Sequence, residues 1–212
     1  MTRGRFIAFE GGEGMGKSTQ ARMLAEALRE SGLTVTLTRE PGGTPGAEAI
    51  RELLLAPPGS GWTMEAEALL FAAARADHVA HSIRPALDSG GWVICDRFID
   101  SSRAYQGVAG EMGDDAIMGL HAFGSAGLMP DLTIMIEAPQ DIVSARLAAR
   151  DGDNSDAIGG RTLSYHAAVN EAFRDFASRD PARFAIVDGA GSIEDVHRRV
   201  LSEVARRLGA SE

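Results

Sequence analysis

The stretch EGGEGMGKST (10–19) holds the single lysine of a 212-residue chain that otherwise carries twenty arginines. The stretch fits the Walker A pattern G-x-x-x-x-G-K-[ST], which begins at Gly11 and ends at Lys17 and Ser18. In this pattern backbone N–H groups surround a phosphate, and a compact ammonium enters the nest more easily than a planar guanidinium. We therefore predict a nucleotide phosphate site, in which Ser18 ligates Mg²⁺. The residues assigned to ATP in this loop are Gly11, Gly12, Gly14, Met15, Gly16, Lys17, Ser18 and Thr19.

Two carboxylates lie at the ends of apolar runs that are typical of buried strands. Asp96 closes WVICD, and Glu137 lies near the end of DLTIMIEA. In a doubly wound sheet, ligands bind at the carboxyl ends of the strands, so either carboxylate is in a position to assist in holding Mg²⁺. We favour Asp96, because Arg97 follows it and the next loop is polar, and Glu137 remains the alternative.

Arginines gather near the predicted loop ends, and Arg146 and Arg150 share one helix face. Several arginines around a triphosphate favour a phosphoryl transfer whose charge is stabilised within the chain. A guanine-specific switch requires the motif N-K-x-D. The single lysine lies in the Walker A pattern, so this motif is absent from the sequence and a guanine-specific switch is excluded. The net charge of −9 argues against a nucleic-acid coat. The gathered residues are Arg39, Arg97, Arg103, Arg146, Arg150 and Arg161.

Apolar runs alternate with helical patterns along the chain, which predicts one α/β domain over 1–212 with a doubly wound, five-stranded parallel sheet. The strands are predicted over 5–10, 33–38, 92–96, 131–138 and 184–189. Helices follow the P-loop up to Gly32 and are predicted over 46–55, 64–83, 114–126, 139–150, 163–179 and 192–208. The helix over 64–83 is expected to end before Pro85, a glycine-rich loop to follow Asp96, and 150–161 to be a mobile loop.

Composition indicates a globular protein, with 44% apolar and 24% charged residues. No apolar run reaches membrane-spanning length, and no signal peptide is visible at the start of the sequence. The single cysteine, Cys95, lies in an apolar run and is expected to be a buried, inert thiol. These features predict a cytoplasmic protein with no membrane partner.

Six segments spread over nearly the whole chain carry a family resemblance: FEGGEGMGKST (9–19), TREPGGT (38–44), FAAARADHV (71–79), DRFIDSSRAYQG (96–107), PDLTIMIE (130–137) and the stretch after Arg146. In these segments the chain resembles the bacterial thymidylate kinases, a family of P-loop nucleoside monophosphate kinases. The resemblance implies that Mg-ATP phosphorylates dTMP to dTDP in a site closed by a lid over about 146–162. It also implies a homodimer that packs through the helices over 64–83 and 114–126.

The resemblance further implies roles for individual side chains. Phe71 would stack on thymine and Arg75 would donate to a thymine carbonyl, while Arg39 and Arg97 would bind the monophosphate. Glu13 would face the sugar or the metal environment, or else be an exposed loop carboxylate. His78 and His81 are expected to be ordinary helix residues. The thymidine pocket would be lined by Ser101, Tyr105 and Gln106, and the catalytic set would be Lys17, Arg97, Arg150 and Glu13.

Members of this family carry their transition-state arginine either in the P-loop or in the lid. Glu13 and Met15 leave this P-loop without an arginine, so the resemblance assigns the role to the lid, with Arg150 first and Arg146 on ATP. Ala157 stands where family lids often carry arginine, which leaves two alternatives: Arg161 takes the place of that arginine, or Arg150 and Arg146 suffice without it.

Two other functions stay open at this point. One is a kinase for another nucleoside or nucleoside monophosphate. A kinase for an unphosphorylated nucleoside shares the P-loop but requires a carboxylate base to deprotonate a hydroxyl. A nucleotide-dependent switch would bind or slowly hydrolyse ATP without an acceptor.

Overall fold

The structure is a computed structural model that describes residues 4–151 and 160–209, and of residues 149–151 it describes the backbone. Within these ranges five strands form one parallel sheet in the order β2-β3-β1-β4-β5. The strands are β1 (Phe6–Glu10), β2 (Val35–Arg39), β3 (Trp92–Asp96), β4 (Leu132–Glu137) and β5 (Phe184–Asp188). The predicted fold class, a five-stranded parallel α/β sheet flanked by helices, is confirmed.

Helices connect the strands, and threonine or serine caps begin several of them. The Thr44, Thr63 and Thr162 hydroxyls accept backbone N–H groups at helix starts, and Ser192 forms a capping box with Asp195. In the described part of the chain, no helix is both long and apolar enough to cross a bilayer. The helices are α1 (Lys17–Glu30), α2 (Pro45–Leu55), α3 (Met64–His78), α4 (Arg84–Asp88), α5 (Ile99–Ser102), α6 (Asp114–Ser125), α7 (Gln140–Asp151), α8 (Leu163–Arg179) and α9 (Ile193–Leu208).

The sheet buries apolar side chains on both of its faces. Alternate residues of β1 point to opposite sides: Ile7 packs in the cluster that contains Leu24 of α1, and Phe6 packs in the cluster that contains Ile83. Each of these side chains is fully withdrawn from water, and burial of one such side chain stabilises the fold by about 1.5–3 kcal/mol. Helices therefore cover both faces of the sheet.

Pro85 does not end the helix that was predicted to stop before it. A π-helical segment over Val79–Ile83 follows α3, and α4 continues to Asp88. In this segment the Arg84 N–H donates to the Val79 carbonyl, five residues back. In a regular α-helix, a proline ring clashes with the carbonyl of the residue four positions before it. The wider π-helical turn displaces that carbonyl, so the chain stays helical through Pro85.

The segment after Asp96 is helical, and the prediction of a glycine-rich loop there was wrong. It forms α5 and then a π-helical segment over Arg103–Ala109. Glu10, at the end of β1, accepts the Phe98 N–H at 2.8 Å and the Ser101 N–H at 3.1 Å. A buried carboxylate from a distant strand thus satisfies two N–H groups at the start of this helical stretch, and local sequence gave no sign of it.

Candidate active site

A cavity of about 770 Å³ lies along the carboxyl ends of β1, β2 and β3. The P-loop and the start of α1 form one side of it, and α3 and the segment after β3 form the other. The cavity brings most of the residues assigned from the sequence into one place. Those that line it are Glu13, Gly14, Met15, Gly16, Lys17, Ser18, Thr19, Arg39, Phe71, Arg75, Asp96, Arg97, Ser101, Tyr105, Gln106 and Arg146.

The P-loop has the backbone that its glycines predict. Gly11 has φ 128°, and a Cβ at this position would lie 2.6 Å from the Ile136 carbonyl oxygen, so a side chain does not fit. The buried Lys17 ammonium donates to the Gly12 carbonyl at 2.6 Å. Burial, aided by the Arg97 charge, lowers the pKa of Lys17 from 10.5 to about 7 against the opposing carboxylates. A phosphate at this ammonium would favour its charged form.

Ser18 and Asp96, the two side chains that the sequence assigns to a metal, meet beside the P-loop. The Ser18 hydroxyl donates to Asp96 Oδ2, while Asp96 Oδ1 is buried and has no hydrogen-bond partner among the described residues. The alternative, Glu137, instead accepts from Arg174 Nε at 2.6 Å. Mg²⁺ at phosphate sites takes one or two protein oxygens and completes its shell with phosphate and water, so this donor set fits it. The described residues hold no cluster of three or more His, Cys, Asp or Glu side chains suited to a metal.

Arg97 lies between the P-loop and the segment after β3. Its φ of 68° is unusual for a residue with a Cβ, and its Nη1 donates to the Gly11 carbonyl at 3.3 Å and to Ser101 Oγ at 3.0 Å. Its Nη2 donates to the Tyr105 hydroxyl at 3.3 Å. Burial alone would lower the pKa of Arg97. The charges of Tyr105, Glu10 and nearby carboxylates outweigh burial and raise the pKa, so the guanidinium stays charged.

Glu10 supports Arg97 indirectly, because it binds Ser101, which accepts a hydrogen bond from Arg97. Glu10 was not identified as a site residue from the sequence. The Glu10 side chain is fully buried, and its Oε2 accepts the Ser101 hydroxyl at 2.6 Å. Burial, together with the charge of Asp100, raises the pKa of Glu10 to about 7. The available signal was its place as the last residue of a buried strand that leads into the P-loop.

Arg39, Gln106 and Phe71, which the sequence assigns to substrate binding, also line the cavity, and the first two form hydrogen bonds with carboxylates. Arg39 is half exposed and pairs with Glu48 at 3.0 Å. Gln106 donates to Glu67 Oε1 at 2.8 Å, and Phe71 lies one helical turn after Glu67 on α3. Glu67 was not identified from the sequence either, although its i, i+4 spacing to Phe71 was visible.

The structure describes the side chains of two of the three arginines that were assigned to a lid from the sequence. Arg146 lies over the P-loop, where it donates to the Met15 carbonyl at 3.4 Å and to the Gly189 carbonyl at 3.1 Å. Arg161 pairs with Glu67 and contacts Tyr165, and it does not line the cavity. The side chain of Arg150 and the Asp156-Ala157-Ile158 segment lie outside the described residues.

Arg75 is held by a buried polar group at the far side of the cavity. Its Nε donates to Glu40 Oε2 at 2.7 Å, and its Nη2 donates to Ser102 Oγ at 2.9 Å. Glu40 Oε1 in turn contacts His78 Nδ1 at 3.1 Å. His78 is fully buried, so the expectation of an ordinary helix residue does not describe it. His81 is exposed and pairs with Asp77, as an ordinary surface histidine does.

Comparisons with known proteins identify the family of this chain. The family model described as thymidylate kinase matches residues 9–200. A thymidylate kinase of Rhizorhabdus wittichii is 53% identical over 97% of this chain and 99% of its own length. One of Rhodopseudomonas palustris is 48% identical over 97% of this chain and 90% of its own length. The crystal structure of thymidylate kinase from Ehrlichia chaffeensis superposes with a TM-score of 0.79 at 32% identity, covering 96% of this chain and all of that one.

The matched region contains the P-loop, the residues after β3 and the α3 residues that together surround the cavity. The resemblance drawn from the six sequence segments is thereby confirmed. The chain is a kinase and belongs to the thymidylate kinase family.

Proposed function

We propose that this protein transfers the γ-phosphoryl group of Mg-ATP to dTMP and forms dTDP. Family membership supports the acceptor, and the P-loop supports the donor. The observation that carries the proposal is that one cavity joins Lys17 and Ser18 to Phe71, Arg75 and Arg97. A phosphorylated donor and an aromatic base therefore fit at its two ends, with cations between them.

The donor end binds the triphosphate through the P-loop. Backbone N–H groups at the start of α1 surround the β-phosphate, and Lys17 bridges the outer phosphates. Binding moves the Lys17 ammonium from the Gly12 carbonyl, its partner at 2.6 Å, onto phosphate oxygens. Arg146, already over the P-loop, adds a positive charge from the lid side.

Ser18 and Asp96 would hold Mg²⁺, because the unpartnered Asp96 Oδ1 offers an oxygen beside the Ser18 hydroxyl. When bound, the ion neutralises charge that builds on the transferring phosphoryl group. Asp96 also orients Ser18, and its position at the end of β3 keeps both oxygens next to the P-loop.

The acceptor end positions a nucleoside monophosphate. Arg97 and Arg39 bind its phosphate, with Arg97 fixed by Ser101 and Tyr105. Phe71 stacks on the base and Arg75 donates to a base carbonyl. Gln106 and Glu13 complete the nucleoside pocket, and the Tyr105 ring limits the space beside the sugar.

The chemistry requires alignment more than proton transfer. The attacking atom is a phosphate oxygen that is already anionic near neutral pH, so no general base is needed. Lys17, Arg97 and the lid arginine Arg150 stabilise the charge as metaphosphate-like character develops. Closure of the lid excludes water that would otherwise hydrolyse ATP.

A homodimer is the second part of the proposal. Phe123 on α6 is 94% exposed, and Leu69 on the neighbouring α3 is more than half exposed. Two packed helices that each expose a large apolar side chain are the surface on which we place the contact between copies of this chain.

The direct test is formation of ADP from Mg-ATP with a panel of acceptors. The panel contains dTMP, dUMP, dCMP, dGMP, dAMP, UMP, thymidine and no acceptor. We expect dTMP to be strongly preferred and dUMP to be weaker. A preference for thymidine would indicate a nucleoside kinase, and equal ADP formation without an acceptor would contradict kinase activity. The Lys17→Ala variant should lose turnover, and activity close to wild type in that variant would contradict the assignment of the donor site.

A further inference from the structure

The motif TREPGGT (38–44) contributes more to the cavity than Arg39. The side chains of Thr38 and Glu40, two residues apart, contact the same residue of α3, His78. The contacts form a continuous chain from Thr38 Oγ1 through His78 Nε2 at 2.7 Å, and from His78 Nδ1 through Glu40 at 3.1 Å, to Arg75. Glu40 and Arg75 line the cavity and His78 does not, so His78 lies behind the wall that would touch a ligand.

The side chains of His78, Glu40 and Arg75 are withdrawn from water and satisfy one another's hydrogen-bonding groups. His78 is fully buried, and the side chains of Glu40 and Arg75 are each 4% exposed. Because Glu40 is an acceptor, His78 Nδ1 must carry a proton to hydrogen-bond it, and that bond fixes the orientation of the ring. Both oxygens of Glu40 are thus occupied, one by the histidine and one by the arginine.

Gly43 closes the loop directly over the far end of the chain. A Cβ at Gly43 would lie 2.4 Å from Thr38 Oγ1 and 2.5 Å from His78 Nε2, and its φ is 90°. The absence of a side chain lets the backbone cover the Thr38–His78 hydrogen bond. This close approach is a second observation, independent of the hydrogen bonds, that the motif is built around His78.

These hydrogen bonds determine how the Arg75 guanidinium is oriented toward the cavity. Its Nε binds Glu40, and its Nη2 binds Ser102 Oγ and, at 3.3 Å, the Phe98 carbonyl. Within the described part of the chain, Nη1 is the nitrogen left to meet a ligand. Guanidinium nitrogens donate and never accept, so a fixed Nη1 matches a base carbonyl and opposes an exocyclic amino group.

We propose that His78 is a positioning residue that fixes Arg75 through Glu40 and so makes the acceptor site selective for a base carbonyl over an amino group. The inference rests on the proposed function, because it assigns Arg75 to the acceptor base. Loss of the histidine leaves one Glu40 oxygen unpaired, so Glu40 and the arginine bound to it are free to shift. Substrate alignment then weakens at the acceptor end, while the donor end is unaffected.

The test compares His78→Leu with His78→Asn, and uses His81→Leu as a matched control three residues further along the same helical stretch. Leucine fills the space but cannot donate, whereas the asparagine amide can restore a donor to Glu40. We expect His78→Leu to raise the KM for dTMP roughly tenfold and to reduce the preference for dTMP over dCMP by a similar factor, with the KM for ATP unchanged. His78→Asn should recover most of both effects, and the exposed His81→Leu should match wild type.

Thr38→Val keeps the argument testable if His78→Leu is poorly folded, because valine has nearly the same shape as threonine. It removes the hydrogen bond to His78 Nε2, and we expect the same changes at about two- to threefold. Equal changes in both KM values, or no change in dTMP selectivity in Thr38→Val and His78→Leu, would overturn the positioning role. The wild-type panel decides the proposed function separately: a wild-type enzyme without a preference for dTMP would overturn that function and this inference with it.

Discussion

Substitution of the P-loop lysine should make the free protein more stable while it removes activity. Burial lowers the pKa of Lys17 from 10.5 to about 7, and each pKa unit corresponds to about 1.4 kcal/mol, so the buried ammonium costs at most ~5 kcal/mol. Lys17→Met also removes the hydrogen bond to the Gly12 carbonyl, which offsets about 1.5–3 kcal/mol. The expected net gain is ~2 kcal/mol, or roughly 4–8 °C in Tm for a chain of this length.

The pH dependence of this gain follows from the direction of the shift. A lysine whose folded pKa lies below its unfolded value binds fewer protons in the folded state between about pH 7 and 10.5. The cost of burying Lys17 is therefore fully present below about pH 7 and declines as the pH rises. The Tm difference between Lys17→Met and wild type should be largest at about pH 7 and below. It should be lost by about pH 9, where the remaining cost of ~2 kcal/mol only matches the hydrogen bond that the variant lacks.

Thermal unfolding of the free protein, followed by circular dichroism at several pH values, measures this difference. Glu10 titrates near pH 7 as well, but it is present in both proteins, so the comparison at each pH removes most of its contribution. Arg198→Met is the control, since Arg198 is an exposed cation of α9 and its loss should change Tm little. A Lys17→Met protein that melts below wild type at neutral pH, or a gain that is independent of pH, would refute the reasoning.

Three further predictions concern the metal, the lid and the dimer. Asp96→Asn should raise the Mg²⁺ concentration needed for half-maximal rate at least tenfold, measured by metal titration, and an unchanged requirement would exclude Asp96 as a ligand. Arg150→Ala should lower kcat roughly 10²–10⁴-fold and Arg161→Ala less than tenfold in single-turnover assays, and the reverse order would give the transition-state role to Arg161. Phe123→Lys should convert the dimer to monomer in analytical ultracentrifugation, and a wild-type protein that sediments as a monomer would contradict the proposed dimer.

Helices and strands whose conformation is determined by the local sequence pattern could be predicted closely. The apolar repeat at positions 21, 24, 25 and 28 indicated α1, and the short run WVICD gave β3 with the same bounds as in the structure. The errors fell where a distant contact decides the conformation. Pro85 is kept in a helix by a widened turn, and α5 begins with N–H groups bound to Glu10, which is 88 residues away from Phe98. No local signal records such a partner.

The candidate site divides in the same way. Side chains that would touch a ligand fall in recognisable motifs, and most of those assigned from the sequence line the cavity. The residues that hold them, such as Glu10, Glu40 and His78, were not identified. The spacing of Thr38 and Glu40 does place both on one side of an extended chain, and Arg75 and His78 are three apart on one helix face. Each pair was therefore visible, but their pairing depends on how the end of β2 meets α3. The hydrogen-bonded chain consequently appears only once the two elements are packed.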